Sequence, residues 1–151
     1  MSQAASFDDM RDLYQEVIMA RGRHPQHQLR LDPYDGAAKG DNPMCGDRVE
    51  VRIRMAGDTI AEAGFEARGC AISVASADLM ADAITGRTPT EVRTLAERFR
   101  VMVHTGACPD CGPEMDPLRP LVGVHEFKSR LKCATLPWDA MLGALKESGH
   151  G

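Results

Sequence analysis

Aromatic side chains are scarce in this sequence, which holds one Trp, two Tyr and four Phe among 151 residues. A core of ordinary volume must then be filled largely by aliphatic residues, and the nine methionines suit its irregular gaps. Charge of one sign is lacking too. The 18 basic and 22 acidic residues are mixed along the chain and leave a formal charge of -4, so there is no electrostatic footprint for DNA, RNA or an anionic membrane. No apolar run approaches the roughly 18 residues of a membrane span, and the opening MSQAASFDDMRDLYQEV has neither the basic start nor the apolar centre of a secretory signal. We therefore expect neither nucleic acid nor a membrane as partner, and a cytoplasmic protein. Internal repeats and low-complexity tracts are absent as well.

What is present fits a single domain over 1–151, long enough to bury a core without disulfides. Ser6 followed by Asp9 resembles a capping box, and Met10, Leu13, Tyr14, Val17 and Ile18 recur with helical spacing, predicting a helix over about 7–21. The stretch RGRHPQHQLRLDPYDGAAKGDNP has no period and reads as an irregular connector turning at Pro33 and Gly36. Val49, Val51, Ile53 and Met55 alternate with Glu50, Arg52 and Arg54, the signature of a strand with one face on a core and one in water. Gly57-Asp58 supplies a turn, after which TIAEAGFEARG returns as an antiparallel partner ending at Gly69-Cys70. A helix follows Cys70, with Ile72, Ala75, Leu79 and Ala83 on one stripe and Gly86 as its stop. Thr88, Pro89 and Glu91 open another over about 89–103, with Val92, Leu95, Ala96, Phe99, Met102 and Val103 inward. After turn residues in HTGACPDCGPEMDP and an apolar piece at 118–122, Pro137 opens a last helix with Trp138, Met141, Leu142 and Leu145 inward. The fold class is α+β, a small antiparallel sheet of about three strands packed against helices.

The five cysteines of a chain in a reducing compartment are more often metal ligands or reactive groups than disulfide partners. Cys45 sits on a polar turn, NPMCGD; Cys70 lies at a strand-to-helix junction; Cys133 stands just before the last helix. These positions can converge at one end of the sheet. With Asp47, which shares the Gly turn with Cys45, they offer the four ligands that zinc takes. Three thiolates and a carboxylate leave such a site about two negative charges to offset, and Arg130 and Lys132 are placed to do so. Against this, a cysteine often only packs, which has some force for Cys70 and little for Cys45. Asp47 can likewise merely close a turn by accepting backbone N–H groups. The spacings match no short zinc signature.

NPMCGD, GCAISVASADLM and RLKCATLPW resemble, in order and context, the three cysteine motifs of the iron–sulfur cluster assembly proteins of the IscU/NifU N-terminal family. The resemblance runs from about Phe7 to Leu145. It is nearest to the SufU-like branch, because Lys132 stands where the IscU branch has a histidine and because there is room between Cys70 and Cys133 for an extra segment, about 104–123. The resemblance implies a zinc ion held by Cys45, Asp47, Cys70 and Cys133. It also implies that Cys45 accepts sulfur from a SufS-type cysteine desulfurase serving the cluster-assembly machinery, with Arg130 in a supporting role near the metal or the partner. Zinc binding keeps Cys45 a thiolate until a histidine of the desulfurase replaces it on the ion.

A second reading is a scaffold that assembles and transfers a [2Fe–2S] cluster, with iron in place of zinc. Lys132 supplies no imidazole for iron, and GVHEFKSRLKC replaces the Leu-Pro-Pro-Val-Lys type chaperone segment of IscU-like relatives, so both favour sulfur transfer. A third is a purely structural zinc domain. The family pattern leaves Cys108-Pro109-Asp110-Cys111 unassigned. It can be half of a metal knuckle completed by His104 or His125, a dithiol that accepts or resolves sulfur, or a turn in the added segment. His24, His27 and His150 are expected to face solvent.

Overall fold

The computed structural model describes residues 7–44, 46–108 and 111–150, so the expected capping role of Ser6 lies outside it. Helix α1 spans Phe7–Arg23. Strand β2 (Asp47–Ala56) runs into β3 (Thr59–Arg68) through Gly57, whose φ of 65° is the left-handed conformation a tight hairpin turn needs. The two pair antiparallel, with Val51 opposite Phe65 and Ile53 opposite Ala63 on the buried face. Helices α2 (Ala71–Ile84) and α3 (Pro89–Thr105) follow, then a 3-10 helix (Pro113–Glu126) and α4 (Leu131–Leu145).

Helix α3 forms as its sequence dictates. The Thr88 hydroxyl accepts from Glu91 N–H, the Glu91 carboxylate accepts from Thr88 N–H, Pro89 takes the first helical position, and all six expected stripe residues are buried. Gly106 ends it in the left-handed conformation, its N–H donating to Met102 O. Phe99 stacks on Trp138 of α4 with centroids 4.6 Å apart, so an aromatic pair bridges α3 and α4 in the core. Within the segment 104–123, the 3-10 helix buries Met115, Leu118 and Leu121 in that core.

Three elements depart from expectation. The connector contains a strand, β1 (Gly36–Asn42), which completes a sheet of order β1-β2-β3 by pairing antiparallel with β2. Its sequence, GAAKGDN, has no β-branched or aromatic residue to announce a strand. The small side chains serve helix packing instead: a Cβ on Gly36 would overlap the Ala144 carbonyl, and one on Gly40 would stand 3.0 Å from Leu136. Helix α4 therefore lies directly on β1.

The last helix opens at Leu131, with Pro137 inside it. Pro137 removes the N–H that would bond the Cys133 carbonyl, but side chains hold the first turn, with Thr135 Oγ1 donating to Leu131 O at 3.1 Å and Ser76 Oγ to Ala134 O at 2.6 Å. The outer face of β2 is also not wholly in water. Arg52 is buried beneath the Tyr34 ring, 4.4 Å from its centroid, and donates to Leu31 O.

Buried Asp78 in α2 fastens α1 to the rest. Its carboxylate accepts from Arg21 at 2.7 Å and from the backbone N–H groups of Gln26 and His27 at 2.8 and 2.7 Å. His27, expected in solvent, is half-buried against Asp82, which also pairs with Arg21. The chain after α1 is drawn onto α2 because a buried carboxylate needs its lone pairs filled.

Candidate metal centre

Asp47, Cys70 and Cys133 reach one another from three elements: the first residue of β2, the residue capping α2, and the first turn of α4. One donor atom from each lies within 4.8 Å of the others. Cys133 and Asp47 are fully buried, whereas Cys70 is half-exposed, so the cluster opens to one side. Among the described residues this is the one group of three such donors so arranged.

Local structure sets each donor. Asp47 Oδ1 accepts the Cys70 N–H at 2.9 Å, while Oδ2 lies 3.7 Å from the Cys70 sulfur. The carboxylate occupies this place because residue 69 has no side chain: with φ at 144°, a Cβ on Gly69 would overlap Asp47 Oδ1. Cys133 is brought in by the Ser76 hydrogen bond to Ala134, which ties the start of α4 to α2. Gly22 packs against Ala71, where a Cβ would approach to 2.9 Å, so the end of α1 closes over the start of α2 beside Cys70.

The expected fourth donor, Cys45, lies outside the described residues. The turn leading to it is described: Gly46 N–H donates to Asn42 O at 2.8 Å, Gly46 has φ 75°, and Met44 is 89% exposed. Arg130 and Lys132 are both exposed, at the start of α4 next to Cys133.

Burial raises the pKa of the Cys133 thiol far above the ordinary thiol range, and its hydrogen bonds to Asp47 and Cys70 add to the rise. A buried thiol in this position ionises only if a cation compensates it. Two thiols and a carboxylate, converging with one side open, are a donor set that suits zinc. Among the described residues no comparable group forms at Cys108 and Cys111, which are joined in a disulfide. His104 is exposed there, and His125 Nδ1 faces the Val122 carbonyl.

Residues 13–115 match the model of the NifU-like N-terminal domain. The chain belongs to that family. It is 35% identical over 138 residues to the iron–sulfur cluster assembly scaffold protein IscU of Streptococcus pyogenes serotype M1, covering 91% of this chain and 86% of that one. It is 36% identical over 138 residues to the zinc-dependent sulfurtransferase SufU of Bacillus subtilis, covering 91% and 92%. A solved structure from Fervidobacterium islandicum AW-1, described as a candidate iron–sulfur cluster assembly scaffold protein for the SUF system, superposes with a TM-score of 0.79 at 28% identity, covering 86% of this chain and 94% of that one. The α+β fold, a three-stranded antiparallel sheet with helices, is thus the fold of this iron–sulfur assembly family.

Two contributors to the site went unread in the sequence. Ser76 looked like one small residue in an Ala-rich helix, and Gly69 like a strand end; only the three-dimensional approach of α4 and of Asp47 reveals their parts. No described helix is long and apolar enough to cross a membrane.

Proposed function

We propose that this NifU-like domain is a zinc-dependent sulfur-transfer protein of the cytoplasm, accepting sulfur on Cys45 from a SufS-type cysteine desulfurase for iron–sulfur cluster assembly. The observation that carries the reading is the convergence of Asp47, Cys70 and Cys133 beside an exposed turn that leads to Cys45. The 36% identity to a zinc-dependent sulfurtransferase supports it. Zinc, held by Cys45, Asp47, Cys70 and Cys133, supplies a positive charge that keeps the thiols as thiolates. Cys70 and Cys133 are fixed by helix starts and stay in place. Asp47 is held in place by accepting the Cys70 N–H. Cys45 thiolate attacks the outer sulfur of the desulfurase persulfide; the new S–S bond forms on Cys45 as the old one breaks and the desulfurase cysteine leaves as a thiolate. Arg130 and Lys132 supply positive charge for the anionic site and for the approaching persulfide.

The 35% identity to an IscU scaffold favours a second reading, in which the same donors hold a [2Fe–2S] cluster that the protein assembles and passes on. A desulfurase assay with and without the chain, run beside metal quantification, separates the two. Sulfur transfer predicts about one zinc per chain after aerobic purification and stimulated turnover, lost in Cys45→Ala with the fold retained. Stimulation that survives Cys45→Ala removes Cys45 as acceptor, and iron with no zinc in the purified protein selects the scaffold.

A further inference from the structure

The pair Cys108 and Cys111 takes no part in the metal centre, and the structure joins it in a disulfide with Cα atoms 5.3 Å apart. A bridge between residues three apart constrains the unfolded chain less than any longer one, so stapling is a weak reason for it. The chain on either side of the pair is moreover already fastened. Gly106 caps α3, the Cys111 N–H donates to Cys108 O at 3.2 Å, and Glu114 accepts from both Arg98, at 2.6 Å, and the Gly112 N–H, at 3.2 Å. Both cysteines are half-buried against the core rather than sealed in it, so an external sulfur compound can reach them. A vicinal pair of this kind is suited to exchange chemistry.

Resting on the sulfur-transfer reading above, we propose that Cys108 and Cys111 form a second, redox-active site that reduces persulfide sulfur to sulfide. Sulfur accepted from a desulfurase is at the sulfane level, whereas cluster sulfur is sulfide, two electrons lower. A dithiol supplies those two electrons. One thiolate of the pair attacks the inner sulfur of a persulfide R–S–SH, forming a mixed disulfide with R–S and releasing hydrosulfide. The second thiol then attacks the mixed disulfide, expelling R–S⁻, which takes up the remaining proton. The balance is R–SSH plus dithiol giving R–SH, H2S and the Cys108–Cys111 disulfide. A low-molecular-weight dithiol returns the bridge to its reduced form by exchange.

The test uses zinc-loaded protein, pre-reduced and freed of reductant, mixed with glutathione persulfide, in the wild type and the double variant Cys108→Ser/Cys111→Ser. About one sulfide per chain is expected from wild type, with the two thiols disappearing together into an intramolecular disulfide by alkylation and mass analysis. The double variant is expected to release little while retaining its zinc and its unfolding midpoint. Equal sulfide release from the double variant, or release without the bridge forming, overturns the proposal. Because the probe bypasses the desulfurase, a chain that fails to stimulate that enzyme yet reduces glutathione persulfide sinks the sulfur-transfer reading alone.

Discussion

Asp47 Oδ1 accepts the backbone N–H of Cys70 at 2.9 Å, linking the first residue of β2 to the residue that caps α2. One carboxylate thereby satisfies a helix-terminal N–H and stands among the thiols as a candidate ligand. The absence of a side chain at Gly69 is the condition for both.

Gly69→Ala should therefore damage the centre without touching a ligand. The added Cβ overlaps Asp47 Oδ1, and φ at 144° is strained for alanine, so the expected loss of stability is about 1–3 kcal/mol. Zinc retention against a chelator should fall as well. A variant with wild-type retention and an unchanged unfolding midpoint refutes the packing argument.

Ser76 is predicted to act on the same centre from a distance. Ser76→Ala deletes the buried hydrogen bond to Ala134 O, at a cost of about 1 kcal/mol. Because that bond fixes the turn bearing Cys133, zinc should also be lost faster in the variant. Competition with a colorimetric chelator reads this directly, and unchanged exchange together with the stability loss would confine Ser76 to packing.

How far these elements were legible in the sequence follows from what decides each one. Helix α3 carries its own start, stop and stripe, all local, and could be read in full. Strand β1 is decided by pairing and by the helix lying on it, and its Gly and Ala residues read as loop until that helix is in view. The start of α4 was hidden by Pro137, which locally reads as a beginning and is tolerated inside because distant Ser76 and nearby Thr135 hold the preceding turn. The candidate donors Asp47, Cys70 and Cys133 could be picked out by their motifs and their places at element ends, and they do come together, while Gly69 and Ser76, which position them, act only through tertiary contacts.

Asp78 gives a prediction about the fold. Asp78→Ala removes the acceptor of two backbone N–H groups and the partner of Arg21 in a buried setting, an expected loss of about 3 kcal/mol or more. Urea unfolding followed by circular dichroism measures it. A loss below about 1 kcal/mol would mean that α1 is held without need of the Asp78 carboxylate.

The pH dependence of the metal-free protein follows from Cys133. Its folded-state pKa is raised, first by burial and then by its hydrogen bonds to Asp47 and Cys70, so the folded state favours the neutral thiol. In the unfolded chain the same thiol titrates near its ordinary value of about 8.5. Below that pH both states hold the proton and the stabilising difference is fully present. As pH rises past it, the unfolded state loses protons that the folded state keeps, and stability falls. Zinc reverses the dependence, because binding requires thiolates and competes with protons, so the metal-loaded form should weaken toward acid instead. Unfolding midpoints of the two forms between about pH 6 and 10 should therefore diverge at the alkaline end. Parallel curves there would show that Cys133 is not the buried, cation-dependent thiol that its position between β2 and α2 implies.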